Sequence, residues 1–344
     1  MTAVNVDVTG ISGTTARAIE SAGLEVTDVV RVVRTAFDED FRYGPDVTSA
    51  ATVAGRTVTA DVVARETGVV AGLPAALAVL DLVGEYLRGG PEGSAGENGG
   101  QPAAAGTALV ADGSPVNAGE AVLRVSGDAV AVLGAERTML NLLTHLSGIA
   151  SATRNWAAAV DGTGAVVRDT RKTLPGLRGL EKYAVRCGGG QNHRMGLGDA
   201  ALIKDNHVAA AGGIGPAVRA VRAAAESWTG QSRSGSGQTG SGQTGSGQTG
   251  DGLVIEVECD SVDQVREALD AGARFILLDN MPVPVLREAV ALARRYSGVL
   301  LEASGGLHLA GARKVAETGV DYLAVGALTH SSRVLDLGLD YRDR

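Results

Sequence analysis

Cations and glycines crowd one stretch of an otherwise acidic chain. "RCGGGQNHRMGLGDAALIKDNH" runs from Arg186 to His207 and carries His193, Arg194 and Lys204; Arg171 and Lys172 stand just upstream. From Arg168 to His207 there are eight Lys or Arg (168, 171, 172, 178, 182, 186, 194, 204) against four acids (Asp169, Glu181, Asp199, Asp205), yet the 344-residue chain has a formal charge of −8. Arg178 and Lys182 are spaced i,i+4 on a helical pattern and are expected to be ordinary solvated side chains. Arg171, Lys172, Arg194 and Lys204 fall at strand ends or in glycine-flanked loops, where solvation explains them less well. A guanidinium grips carboxylate or phosphate through two parallel N–H donors, so the cluster points to a substrate with several negative charges.

Acids and glycines recur in a matching pattern. Six short apolar runs, "AVVRD", "AALIK", "LVIEVEC", "FILLD", "GVLLEAS" and "DYLAVG", end in polar or glycine residues. Their ends are Thr170 to Lys172, Lys204, Glu258, Asp279 with Asn280, Glu302 with Ser304 to Gly306, and Gly326. Glu258 and Asp279 end successive runs. Carboxylates beside an anion site are explained by a divalent cation, and Mg²⁺ commonly binds through one or two carboxylates plus phosphate oxygens. Glu256 shares a strand face with Glu258 and is expected to be a structural partner for a barrel-lining lysine. Gly305, Gly306 and Gly326 permit close backbone approach, and amides there suit a phosphate.

These residues need a scaffold that gathers them. The runs alternate with helical patterns such as "SVDQVREALDAG", "VPVLREAVALARRY" and "HLAGARKVAETG". Regular alternation implies parallel strands with right-handed crossovers. Six strands fall short of eight, so an α/β fold with an incomplete β/α (TIM-like) barrel of six or seven strands is expected, an open doubly wound sheet being the alternative. In such barrels the reactive face lies at the C-terminal strand ends, which would bring all six ends to one mouth. The first 135 residues read as a separate α/β domain: a helix over 26–38, β-rich "RTVTADVVARETGVVAG", helical "AALAVLDLVGEYL", and strands in "TALVADG" and "GEAVLRVSG". A long helix is expected over 135–160. The expected division is 1–135, a barrel over 136–327, and a C-terminal segment over 328–344.

Composition sets the outer limits. The chain is 44% hydrophobic but only 3% aromatic, which suits parallel strands of Val, Leu, Ile and Ala covered by helices. Acidity argues against a nucleic-acid or membrane-surface binder. Two cysteines, Cys187 and Cys259, suit a reducing compartment. No secretion signal opens the chain and no run nears the roughly 18 apolar residues of a membrane span, so a cytoplasmic protein is expected. Two glycine-rich inserts, 88–106 and 230–252, the latter holding three SGQTG units over Ser236–Gly250, are expected to be flexible.

"DTRKTLPGLRGLEKYAVRCGGGQNHRMGLGDAALIKDNH" closely resembles the signature of the quinolinate phosphoribosyltransferase family. "VECDSVDQV", "ILLDNM", "EASGGL" and "DYLAVGALTHS" resemble its later blocks in order. The resemblance implies a pentosyltransferase of de novo NAD biosynthesis that turns quinolinate and 5-phosphoribosyl-1-pyrophosphate (PRPP) into nicotinate mononucleotide, pyrophosphate and CO₂ with Mg²⁺. It assigns Arg171, His193, Arg194 and Lys204 to the two quinolinate carboxylates. Arg137, in "GAERTMLNLL", would reach into the neighbouring subunit's site, which implies a homodimer, or a hexamer built from such dimers. Lys172 and Thr170 would contact the phosphoribosyl substrate. Glu258 and Asp279 would face the ribose and the metal-bound pyrophosphate, and with Lys172 carry the catalytic assignments. Ser304, Gly305, Gly306, Val325, Gly326 and Ala327 would hold the 5-phosphate. The implied fold packs an α/β domain on an incomplete barrel, the C-terminal tail returning to the first domain.

Two rival readings stand beside this one: a paralogue acting on another acidic heterocycle such as nicotinate, and a non-catalytic phosphate-binding barrel. Five candidate carboxylate partners suit a diacid better than a mono-acid, which would leave buried charge unpaired. Deleting Ser236–Gly250, which lies between a helix and the following strand, is expected to keep kcat within about twofold, since loop length enters closure entropy only logarithmically. A large fall in kcat with the circular dichroism spectrum intact would place the repeats at the mouth.

Overall fold

The computed structural model describes residues 10–89, 103–229 and 253–342. In chain order the elements are α1 (Gly13–Ser21), α2 (Val26–Asp40), α3 (Val47–Thr52), β1 (Thr57–Ala64), β2 (Gly68–Val69), α4 (Leu73–Leu87), β3 (Ala104–Ala108), β4 (Pro115–Val116), β5 (Ala121–Asp128), α5 (Ala129–Val160) and β6 (Val166–Arg168). Then come α6 (Arg178–Cys187), β7 (Ala201–Ile203), α7 (Asp205–Ala211), α8 (Ile214–Thr229), β8 (Ile255–Cys259), α9 (Val262–Asp270) and β9 (Phe275–Asp279). The chain closes with α10 (Val283–Ala293), β10 (Leu300–Ser304), α11 (Ala312–Ala316), β11 (Tyr322–Ala324), α12 (Ala327–His330) and β12 (Leu337–Tyr341).

Two compact units result. The first comprises Met1–Ala152, Leu174–Gly188 and Ser332–Arg344. Its sheet is antiparallel in the order β12-β1-β5-β3, so the last strand of the chain pairs with the first. Apolar α4 is buried on nearly all sides. Its first N–H groups, on Gly72 and Leu73, donate to the Asp112 carboxylate. Amphipathic α2 buries Val29, Val33 and Phe37, and Phe37 meets Tyr86 of α4 with ring centroids 5.0 Å apart. Helix α5 begins at Ala129 rather than 135, because Asp128 accepts from the N–H groups of Val130 and Ala131 and caps it.

The second unit is Thr153–Thr173 with Gly189–Ser331. Its six strands are all parallel and ordered β6-β11-β10-β9-β8-β7. The first strand therefore pairs with the last, and the ring stays open only between β6 and β7. At that gap Gln191 bridges to Arg168 in parallel register, lining the edge of β6. Side chains from strands that are not neighbours touch: Arg168 of β6 reaches Glu302 of β10 across β11. Such a contact requires the sheet to curl around an interior. The ring is an incomplete barrel, not an open doubly wound sheet.

Several expectations change. Strand β3 occupies Ala104–Ala108, so "TALVADG" contributes only its first two residues and the insert expected over 88–106 ends in regular structure. Arg88 caps α4; residues 90–102 of that insert and the SGQTG units lie outside the described residues. Helix α6 belongs to the first unit although it interrupts the barrel signature. On it Lys182 is fully buried, not solvated. Beside it Glu181 accepts from the Leu174 N–H at 3.1 Å and meets His145 Nε2 at 2.9 Å. Among the described residues no helix is long and apolar enough to cross a membrane.

Candidate active site

Parallel register places the rim residues. Ile203 pairs with Val257, so the next positions, Lys204 and Glu258, stand side by side at the ends of β7 and β8, and their ammonium and carboxylate meet in an ion pair. Ser304 pairs with Asp279, which sets the end of β10 beside the end of β9. Lys204 is thus not an unpaired cation awaiting a substrate carboxylate, as the sequence suggests, although its side chain remains half exposed. A partly exposed pair can exchange partners when an anion arrives at low cost.

Arg171 and Arg194 form the cationic part of the mouth. The Arg194 Nη1 donates to the Ala200 carbonyl at 3.0 Å. Burial and then the positive charge of Arg171 hold its pKa below the usual value, which places two like charges near each other. The Nε of Arg171 is buried with no hydrogen-bond partner. A buried unpaired donor beside a like charge is costly unless an anion completes it. Lys172 is exposed; its carbonyl accepts from Thr329 Oγ1 at 2.7 Å and its N–H donates to Thr170 Oγ1 at 3.0 Å. A Cβ on Gly326 would lie 2.8 Å from the Lys172 Cδ and 3.4 Å from Thr170 Oγ1. A side chain on Gly326 would have to push the Lys172 side chain aside. Val325 is buried and its N–H donates to the Arg168 carbonyl, so its side chain belongs to the core; Ala327 is exposed.

His193 turns the other way. Its Nε2 lies 2.9 Å from Glu256 and 3.4 Å from Glu302, inside the barrel. Its Nδ1 accepts the Arg194 N–H at 2.7 Å, and its own N–H donates to Asp169. Both ring nitrogens have protein partners, which anchor the imidazole to the interior. Glu256 pairs with this histidine, not with a lysine. Glu302, expected at the rim, is fully buried and receives Arg168 Nη1 at 2.9 Å. The Arg168 guanidinium is itself stacked 4.6 Å from the Tyr322 ring centroid and 5.4 Å from that of Phe275.

Burial alone would lower the His193 pKa; hydrogen bonds to Glu256 and Glu302 outweigh it and raise the value to about 9. Burial, and then Glu302, push Glu256 above the usual carboxylate range. Glu302 lies below that range because His193 and Arg168 outweigh its burial. An imidazolium would carry a proton on Nδ1, which instead accepts the Arg194 N–H. Nε2 then carries the neutral ring's own proton toward Glu256, and we place the extra proton on Glu256, whose Oε1 is buried with no hydrogen-bond partner.

Sequence reasoning missed Arg168, Asp169, Asn192 and Glu302 as organisers of this loop. Fully buried Asp169 accepts from the His193 N–H at 2.8 Å and from Asn192. The available signal was charge inside otherwise apolar strands: Glu256 in "LVIEVEC" and Glu302 in "GVLLEAS" sit where a buried strand must satisfy them. Arg137 is exposed on α5 in the first unit. Cys187 has a thiol pushed up to about 12 by burial and Asp112, which suits no nucleophile.

Because the folded His193–Glu256 pair keeps a proton that the unfolded chain releases above about pH 6.5, stability should be greatest below that value. It should decline as pH rises toward about 9. Urea unfolding at steps from pH 6.5 to 8.5 measures this; a flat or rising midpoint would show that the pair holds no such proton.

Known proteins share both parts of this architecture. Residues 46–147 match the family described as Quinolinate phosphoribosyl transferase, N-terminal domain, and residues 149–229 and 244–340 match its C-terminal domain. The nicotinate-nucleotide pyrophosphorylase [carboxylating] of Mycobacterium leprae is 50% identical over 312 residues, covering 90% of this chain and 95% of that protein. A probable enzyme of the same name from Methanothermobacter thermautotrophicus is 36% identical over 318 residues, 90% of this chain and 98% of its own. The solved nicotinate-nucleotide pyrophosphorylase of Francisella tularensis superposes with a TM-score of 0.76 at 30% identity, covering 98% of this chain and 100% of that one. With both domains matched and the barrel strands in place, the chain belongs to the quinolinate phosphoribosyl transferase family.

Proposed function

We propose that the chain transfers the phosphoribosyl group of PRPP to the ring nitrogen of quinolinate, giving nicotinate mononucleotide, pyrophosphate and CO₂. The observation that carries this reading is the buried, unpartnered Nε of Arg171 beside Arg194, in the same rim as Lys204 and the acids Glu258 and Asp279. Arg171, Arg194 and Lys204 bind the two pyridine carboxylates, and Arg137 completes the grip from a second copy in a shared dimeric site. Lys172 and Thr170 contact the phosphoribosyl substrate. The backbone at Ser304 to Gly306 and at Val325 to Ala327 holds the 5-phosphate. His193 supports this mouth from behind by fixing the Arg194 amide.

Glu258 and Asp279 offer hard carboxylate oxygens on neighbouring strand ends, a donor set too small for an all-protein cage but fitting a Mg²⁺ ion that arrives on phosphate oxygens. Bound there, Mg²⁺ supplies neutralisation of the diphosphate as it departs. Loss of diphosphate from the ribose C1 leaves oxocarbenium character, so the protein's work is to align the ring nitrogen with C1 and offset developing charge. Once the nitrogen is ribosylated its positive charge stabilises the ring carbanion left when the adjacent carboxylate leaves as CO₂. That carbon then takes up one proton. The substrate's own charge drives this step, so no dedicated base is assigned.

Purified protein given quinolinate, PRPP and Mg²⁺ should release nicotinate mononucleotide, pyrophosphate and CO₂ in equal amounts. Turnover of nicotinate in place of quinolinate would favour the mono-acid paralogue, and no turnover of either the non-catalytic barrel. Arg171→Ala should lower kcat/KM by about a hundredfold or more, as expected for truncating one partner of a desolvated ion pair.

The shared site has its own test. Arg137→Ala and Arg171→Ala homodimers should each be nearly inactive. After subunit exchange the mixture should recover about a quarter of wild-type activity, because half the dimers are hybrids with one intact site. No recovery after exchange confirmed by mass spectrometry would put Arg137 outside the site.

A further inference from the structure

Asn280 follows Asp279 directly and is the one non-glycine residue with positive φ among those described, at 52°. Asparagine tolerates this left-handed region better than most residues, but the position remains unfavourable unless its surroundings hold it. Three contacts hold it. Its N–H donates to the Ser304 carbonyl at 3.0 Å, tying the end of β9 to the end of β10. Its side-chain Nδ2 donates to Asp279 Oδ2 at 2.7 Å. Its amide fills the space that a side chain on Gly305 would need: a Cβ there would lie 2.7 Å from the Asn280 N and against the Asn280 side-chain oxygen. Gly305 and Gly306 themselves take φ of 82° and 57°, so the loop folds tightly over this amide.

We infer that Asn280 is a positioning residue that sets Asp279 and the Ser304–Gly306 loop at a fixed spacing. It thereby recognises both ends of one PRPP molecule, the magnesium-bound diphosphate and the 5-phosphate. This inference rests on the PRPP reading of the rim given above. The chemistry favours an amide here. As a neutral donor it occupies one oxygen of Asp279 without cancelling its charge, which leaves the other oxygen and the full negative charge for a cation. A lysine or arginine in its place would neutralise the carboxylate, and an aliphatic side chain would leave its rotamer unset. None of these contacts involves Arg171, Arg194 or Lys204, the cations assigned to the pyridine, so the effect of Asn280 should be confined to PRPP.

Asn280→Gly separates positioning from folding, because glycine takes positive φ freely and removes only the amide. In isothermal titration of the full chain with PRPP and Mg²⁺, without quinolinate, the Kd should rise about tenfold, as for loss of one hydrogen bond to a charged group. The Tm should stay near the wild-type value. The Mg²⁺ concentration for half-maximal turnover should rise with the Kd, while KM for quinolinate stays within about twofold. Asn280→Asp, which keeps the shape and the tolerance of this backbone but replaces the donor with an oxygen, should weaken PRPP binding in the same direction. An unchanged Kd in either folded variant, or an equal rise in KM for quinolinate, overturns the inference. Wild-type protein that takes up no PRPP at all overturns the underlying reading, and this one with it.

Discussion

Arg168, Glu302, His193 and Glu256 meet inside the barrel, away from solvent, and the mouth above them depends on that meeting. Each ion buried in this way loses several kcal/mol of hydration, which only close pairing and further hydrogen bonds can offset. Here Arg168 is paired with Glu302 and stacked on Tyr322, a contact worth about 2 kcal/mol when desolvated. The extra proton on Glu256 leaves the group as a whole near neutrality. Low surrounding dielectric strengthens each of these contacts and penalises any arrangement that breaks one. The network accordingly has few alternative geometries.

That rigidity passes outward through the backbone. His193 accepts the Arg194 N–H, and Asp169 accepts the His193 N–H, so the loop carrying Arg194 is pinned from two sides. Arg168 also donates from Nη2 to the Asn192 carbonyl at 3.3 Å and, through its own carbonyl, receives the Val325 N–H. The same residue thus anchors the cation loop and the loop at Gly326. An interior charge network doing the work of a hydrophobic plug is a costly way to fill a barrel. It suits an enzyme that must hold repelling guanidinium groups in place before any substrate arrives.

Much of this was legible beforehand, unevenly. Strand–helix alternation after residue 160 identified the barrel because each strand needed both faces covered, and covered strands read as short continuous apolar runs. Rim residues were visible as polar breaks at the ends of those runs. Boundaries in the first unit were less visible: "TALVADG" looks like a strand by composition, but the ladder with β5 begins three residues earlier, at Ala104. Lys182 looked solvated because helical spacing reports which residues share a face, not what that face meets.

The sequence by itself determined the element types, the parallel ring and the chemical character of its rim, since periodicity, charge and glycine placement are local properties of the chain. Only the tertiary structure decided who pairs with whom. Glu302 faces inward to Arg168, Glu256 takes His193, and Lys204 lies against Glu258, because ring closure and strand register bring together positions far apart in the chain. Asn280 makes the same point at the rim: its left-handed backbone and its fit against Gly305 follow from the neighbouring strand end, which no local pattern encodes.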